Sequence, residues 1–398
     1  MMSFFGLVSL WWLSVVPALA WAGPWPPGPE AWRQAGRRGI RGVTIGPIES
    51  SQQPEHGYGT AASAATLDAL QAMGVNWVSI TPFGRLWNLR ATSIHMDFEA
   101  PYAQNRVAVR RMIAQAKARG MQVMVIPALW IDQGGDRLDI DPGSASRWQA
   151  LLASYRRFIL AWARDAAQAG ADALSIGLEL RSFSSRYPAY WQGLIAELRH
   201  VFPGLLTYNA NWWSEADSVL FWPDLDLIGI QAFYPLADKK GASYADYRAG
   251  ALKAKSQVQS LVERLQMPVL FTELGYLARR DAAVEPWVWP ERTKTQVIYD
   301  EAEQARAYAA IFEAFLPEPW FVGFFIWRYY ANLDDVSQEP HWAYSPHGKL
   351  AEMLLAAACQ ARWGVDPAAW PGQVAGRVES PVQWAGACRP FGNLCRHP

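Results

Sequence analysis

Three cysteines in 398 residues are too few to build a fold on disulfides. Cys388 and Cys395 lie close enough in the tail to form one bridge in an oxidising compartment, and Cys359, on a helical stretch, is expected to be a buried thiol. Histidine is scarce too, at six residues, and neither type recurs with metal-ligand spacing, so no metal is expected. Nor does one sign of charge dominate: 36 Lys and Arg stand against 36 Asp and Glu. Without a basic excess there is no electrostatic footprint for nucleic acid, and none is expected as a partner. The apolar stretch within residues 1–20 lacks a preceding Lys or Arg, yet small-residue cleavage patterns follow it, after Ala20 or Ala22. Residues 1–22 are read as a signal peptide, with export to the periplasm or beyond expected; left uncleaved, the same stretch is a membrane anchor. Residues 23–37, which include Gly23-Pro-Trp-Pro-Pro-Gly-Pro29, cannot continue a helix and form a spacer.

Aromatic residues, by contrast, are abundant: 22 Trp, 15 Tyr and 16 Phe. Their faces stack on the C–H faces of sugars, and they also fill the space between the helices and strands of a large barrel. Short apolar runs alternate with amphipathic helical stretches, the pattern of strand-helix repetition around a parallel sheet. Eight strands are predicted: Ile40 to Gly46, Val75 to Thr81, Gln122 to Ala128, Ala173 to Leu178, Leu205 to Asn209, Leu225 to Gln231, Pro268 to Thr272 and Val322 to Trp327. Helices are predicted between them at Ala62 to Met73, Arg106 to Arg119, Ser144 to Ala169, Ala189 to His200, Tyr247 to Leu265 and Ala302 to Phe315, with Leu350 to Ala361 closing the ring and a short turn at Ser214 to Leu220. The fold class expected is an α/β (β/α)8 TIM barrel over residues 38–362, with a tail at 363–398 wrapping it. Turns before the strands are short and marked by Gly120, Gly170, Gly204 and Pro268; those after the strands, such as Phe83 to Tyr102 and Leu129 to Gly143, are long and rich in Trp, Tyr, Asp and Pro. Such asymmetry marks the face of a barrel that carries chemistry.

Two glutamates stand at strand exits on that face, Glu179 closing Ala173-Leu-Ser-Ile-Gly-Leu-Glu179 and Glu273 within Pro268-Val-Leu-Phe-Thr-Glu273. A strand buried on both faces wants Val, Ile and Leu throughout, so an ionisable group at its exit costs stability unless it is hydrogen-bonded and used. Roughly ninety residues separate the two, about three strand-helix units, which puts them on the fourth and seventh strands. Two converging carboxylates are the equipment of a glycoside hydrolase: one supplies a proton to the departing oxygen, the other meets the charge on the anomeric carbon. The same residues also serve as loop-pinning partners for Arg. Other strand exits offer sugar contacts: Asn209 and Asn211 on strand five, Tyr234 after strand six, where its hydroxyl is placed to hold the nucleophilic carboxylate, and Trp327 as a floor on strand eight. Trp130 and Trp212, in the long loops, are read as outer platforms for further sugar rings, as are Trp87, Trp287 and Trp289.

The run Leu174-Ser-Ile-Gly-Leu-Glu179, then Trp191-Gln-Gly-Leu-Ile-Ala-Glu-Leu-Arg199 and Gly204-Leu-Leu-Thr-Tyr-Asn-Ala-Asn-Trp212, resembles glycoside hydrolase family 113. Asp226-Leu-Ile-Gly-Ile-Gln231, Phe271-Thr-Glu-Leu-Gly-Tyr276 and Tyr344-Ser-Pro-His-Gly-Lys349 extend the resemblance. It implies a retaining enzyme on the barrel described, with β-1,4-mannanase activity, Glu179 as acid/base with a raised pKa and Glu273 as nucleophile. It implies no cofactor, an oligo- or polysaccharide substrate, and a monomer. One segment departs: where the family carries a Lys-Pro-His type motif after strand three, this chain reads Val125-Ile-Pro-Ala-Leu-Trp130. A non-catalytic glycan-binding barrel stays open at this point, as do a transglycosylase and an exo-acting β-glycosidase.

Overall fold

Ala173–Leu178 is buried at every position, as a strand flanked by two others and covered by helices must be. The same burial holds along Trp77–Ile80, Ile228–Gln231 and Val269–Leu274. The computed structural model describes residues 39–46, 54–289, 297–335 and 339–360. The expected signal peptide, spacer and C-terminal tail, with Cys388 and Cys395, lie outside the described residues; Cys359 is buried and free.

In chain order the elements are β1 (Ile40–Gly46), α1 (Ala61–Ala72), β2 (Trp77–Ile80), β3 (Phe83–Leu86), α2 (Tyr102–Ala118), β4 (Gln122–Val125), β5 (Ala128–Ile131) and α3 (Ala145–Ala169). There follow β6 (Ala173–Leu178), α4 (Arg181–Ser184), α5 (Pro188–Val201), β7 (Leu205–Asn211), α6 (Glu215–Ser218), β8 (Ile228–Gln231) and α7 (Tyr244–Leu265). Last come β9 (Val269–Leu274), α8 (Glu301–Phe315), β10 (Phe321–Tyr330) and α9 (Leu350–Gln360). Eight of the strands close on themselves, all in parallel, in the order β1, β10, β9, β8, β7, β6, β4, β2. The chain is a (β/α)8 TIM barrel. The predicted strands and helices all appear, with ends shifted by a few residues.

Two strands were not expected. The long loops after β2 and β4 each fold back into a short strand, and β3 and β5 pair in parallel as a separate sheet at the C-terminal mouth. Phe83-Gly-Arg-Leu86 and Ala128-Leu-Trp-Ile131 are too short and too mixed to give a periodic signal, and their pairing is a tertiary event.

Local chemistry sets the helix ends. Ser144 accepts the Arg147 amide at the start of α3, and Gly170 closes it at φ 79°, a left-handed conformation that a side chain resists. Ser243 and Asp246 form a reciprocal capping box on α7.

Inside the barrel the side chains are layered. Ile40, Trp77, Met124, Leu205, Leu270 and Phe325 fill the lower part, with the Trp77 and Phe325 rings edge to face at 6.3 Å. Towards the C-terminal end the interior turns polar, with Ser79 donating to or accepting from Thr44 at 2.8 Å and Thr272 donating to the Gln231 Oε1 at 3.0 Å. A larger apolar cluster fills the space between strands and helices. The apolar floor therefore supports a polar chamber at the mouth, where both glutamates stand.

Candidate active site

Glu179 follows the last residue of β6 and takes φ 52°, in the left-handed region that costs a non-glycine residue about 1–3 kcal/mol unless its surroundings hold it there. Its surroundings do. The Glu179 amide donates to the Asn209 carbonyl at 2.9 Å, continuing the ladder with β7. On the side chain, Asn211 Nδ2 donates to Oε1 at 2.8 Å and Arg137 Nη2 donates to Oε2 at 2.9 Å. Arg137 comes from a single turn of 3-10 helix, Arg137–Asp139, in the loop after β5. Both carboxylate oxygens are thus occupied by side-chain donors, one from the end of β7 and one from the loop after β5.

Glu273 lies across β8 from that wall. Its register partner is Gln231, and Gln231 is in turn level with Asn211 on β7. Four neighbouring strands therefore carry Glu179, Asn211, Gln231 and Glu273 in a row along the mouth. Glu273 is 5% exposed, and burial, followed by the charge of Glu179, pushes its carboxyl up to about 8. Gln231, Arg137 and Arg328 oppose that rise. The Gln231 Oε1 accepts from Thr272, and its Nε2 makes no hydrogen bond among the described residues, which leaves the amide nitrogen as the donor available on this side. Glu273 is raised because it is sealed from water, whereas both carboxylate oxygens of Glu179 are met by donors.

The other predicted contacts divide. Asn211 reaches Glu179. Asn209 does not sit at the mouth: β7 runs two residues further than expected, so Asn209 is fully buried one step down, its amide without a hydrogen-bond partner among the described residues. Tyr234 corrects a second expectation. Its ring packs on Trp212 at 5.4 Å and on Phe271 at 6.0 Å, in the layer outside the barrel, and its hydroxyl makes no bond to Glu273; Gln231, on the inward face, stands there instead. Trp327 lies half-buried within β10, three residues before its end, with the Arg328 guanidinium over its ring at 4.8 Å. Trp130 rests on Phe98 at 5.3 Å and Phe83 at 6.3 Å on the small β3–β5 sheet and is 46% exposed. Trp212 is half-buried between Tyr234 and Trp287. Trp87, Trp287 and Trp289 are exposed in the loops.

Arg137 and Gln231 were not identified from the sequence as site residues. Gln231 had a signal, since a lone amide ending an apolar strand is as costly as a lone carboxylate. Arg137 had none, because its turn lies in the long loop after β5 and meets Glu179, 42 residues away, only through tertiary structure. Among the described residues, no cluster of three or more His, Cys, Asp or Glu side chains is arranged to hold a metal ion.

The family model described as Glycoside Hydrolase Family 113 matches residues 50–349. Among solved structures, the chain is similar to the family 113 β-mannanase AaManA from Alicyclobacillus acidocaldarius in complex with ManMIm, at 26% identity over 81% of this chain and 97% of that one, with a TM-score of 0.68. A family 113 β-1,4-mannanase matches at 23% identity over 82% and 100% of the two chains, with a TM-score of 0.67. The fold extends to a family 5 mannosidase from Rhizomucor miehei, at 12% identity over 86% and 95% of the chains and a TM-score of 0.55. No curated protein matches the chain.

Proposed function

The chain belongs to glycoside hydrolase family 113, and from that premise we propose that it is a retaining endo-β-mannanase that cleaves β-1,4-mannan by double displacement. The observation that carries this reading is the pair of carboxyls at one mouth, Glu179 held by Asn211 and Arg137, and Glu273 close enough to feel its charge. Likeness to the β-mannanase AaManA supports the substrate. In the first step Glu273, as carboxylate, attacks the anomeric carbon while Glu179 passes its proton to the departing oxygen; in the second, Glu179 takes a proton from water, which displaces Glu273 from the sugar. The pair works with one proton between them. Burial and the charge of Glu179 raise the Glu273 carboxyl, so productive binding must draw the shared proton away from Glu273 and leave it on Glu179. A sugar with developing positive charge over Glu273 favours that redistribution, since an opposite charge beside a buried carboxyl favours its ionised form.

Trp327 on the floor and the platforms at Trp130 and Trp212 support a cleft with ring-stacking surfaces on both sides of the pair, which suits attack within a chain. The chain supplies both walls itself, which supports action as a monomer. The apolar stretch before Ala20 supports export.

The test is a panel of β-1,4-mannan, glucans and peptidoglycan fragments, scored for new reducing ends, with the first-formed anomer read by proton NMR. Mannan cleaved within the chain to a β-anomer is the expected result. Retention of a ligand without new reducing ends would instead make the molecule a glycan-binding barrel, and a first-formed α-anomer would rule out Glu273 as nucleophile.

A further inference from the structure

A third carboxyl stands behind the pair. Glu215 opens α6, four residues after Asn211, and is wholly buried with no cation paired to it among the described residues. A buried charge without a cation survives only on hydrogen bonds, and Glu215 collects three. Tyr208 Oη donates to Oε1 at 2.6 Å, Ser184 Oγ donates to the same oxygen at 2.8 Å, and the Asn211 backbone N–H donates to Oε2 at 2.8 Å.

Each of these bonds leads to Glu179. Asn211 is the residue whose side chain donates to Glu179 Oε1. Tyr208 Oη, besides donating to Glu215, accepts the N–H of Leu180, the residue directly after Glu179, at 2.7 Å. Ser184 ends α4, the turn into which the chain runs on leaving Glu179. One carboxyl thus fastens the side-chain partner of Glu179, the peptide that follows it and the turn beyond, around a residue whose left-handed backbone needs such fastening. Burial raises the Glu215 carboxyl to about 7 against the pull of its three donors, and the charge of Glu179 adds a smaller push in the same direction. The remaining walls of the Glu215 chamber, Trp191, Phe221 and Trp222, enclose Tyr208 and carry no charge.

We propose that Glu215 is a positioning residue for Glu179: its three hydrogen bonds fix the side-chain partner, the following peptide and the turn that together hold the carboxyl serving as acid/base. This rests on the function proposed above. It goes beyond it in giving a role to a carboxyl that never meets substrate.

The experiment is Glu215→Gln, which keeps the shape but removes the charge and cannot accept from all three donors. Two readouts are taken. Carbon-13 NMR titration of glutamate side chains, with Glu179 assigned by its loss in Glu179→Gln, needs no turnover: the Glu179 midpoint is expected to fall by up to about one unit, since removing a nearby anion makes ionisation easier. In mannan hydrolysis, kcat is expected to drop about 10- to 100-fold with KM little changed, and the alkaline limb of the pH profile to move to lower pH. An unmoved midpoint overturns the proposal whether or not the wild type cleaves mannan, which separates its failure from that of the functional reading. A lowered melting temperature with midpoint and limb unmoved likewise reduces Glu215 to a structural residue. Should Glu215→Gln fail to fold, Tyr208→Phe cuts the line to Leu180 alone; wild-type kcat together with a Glu179 resonance at its wild-type position at every pH overturns the proposal there.

Discussion

The two walls of the site hold the same side chain by opposite means. On the β6–β7 wall, Glu179 is fixed by contact: donors on both oxygens, a ladder bond on its backbone and a buried carboxyl behind it. On the β8–β9 wall, Glu273 is fixed by exclusion of water, with Gln231 beside it on the neighbouring strand. Contact sets geometry, which a proton donor must have relative to a leaving oxygen; exclusion of water leaves a carboxyl poorly solvated and therefore reactive once ionised. Two glutamates on one barrel acquire different work from their walls rather than from their own chemistry.

Replacing each residue in turn breaks this comparison most severely. Glu273→Gln is expected to lower kcat on mannan by at least about 10⁴-fold with the fold intact, because nothing else can form the bond to the anomeric carbon. Glu179→Gln is expected to be comparably slow on mannan but to recover with an aryl mannoside and added azide: a good leaving group needs no proton, and the small anion replaces the water that Glu179 would activate. Loss of equal size on both substrates, unrelieved by azide, would show that the walls do not divide the work in this way.

Stability sharpens the same contrast. A carboxyl whose pKa is raised on folding, to about 8 for Glu273, binds its proton more tightly in the folded protein than in the unfolded chain. Folding stability is therefore undiminished below the ordinary carboxyl range and is lost progressively as pH rises through it towards 8. Glu273→Gln removes that loss, so its melting temperature should exceed that of the wild type increasingly from pH 5 to 8.5, by an amount worth a few kcal/mol at the upper end. Parallel melting curves across this range would mean that Glu273 is ionised in the folded state throughout.

Arg137 tests the contact wall more gently. It donates to Glu179 and also favours ionised Glu273, so its removal takes a cation from both carboxyls. Arg137→Ala is expected to shift the alkaline limb of kcat/KM to higher pH, by up to about one unit, opposite in sign to the shift expected for Glu215→Gln, with kcat down roughly tenfold. A limb that stays in place would make Arg137 a loop anchor through its bond to the Leu129 carbonyl.

These walls were unequally legible in the sequence. The barrel was legible because eight apolar runs and intervening amphipathic stretches each declare themselves locally, and the glutamates because a carboxyl at the end of such a run contradicts its surroundings. Asn211 was within reach by the same logic. What stayed hidden depends on contacts between distant segments: the β3–β5 sheet, the turn that aims Arg137 at Glu179, and the inward direction of Gln231 as against the outward ring of Tyr234. A register shift of two residues moved Asn209 from the mouth to the interior, since alternate residues of a strand sit at successive depths.

Tryptophan shows how far composition alone can mislead, and supplies the smallest test. Trp191 is fully buried behind Glu215, stacked on Phe183 at 5.6 Å and Phe221 at 5.0 Å, with its indole N–H donating to the Phe183 carbonyl at 2.9 Å. Trp130 is half exposed on the small sheet at the mouth. Truncating Trp191 to Ala should cost about 3–5 kcal/mol by leaving a cavity in the contact wall. Trp130→Ala should change stability by less than about 1 kcal/mol, since nearly half of that residue is already in water. If its free face carries a sugar ring, KM for mannan should rise several-fold while kcat and the KM for a short aryl mannoside stay put, because only a longer substrate reaches that platform. Equal KM increases for both substrates would place Trp130 beside the reacting sugar, and no increase for either would return it to the packing of Phe83 and Phe98.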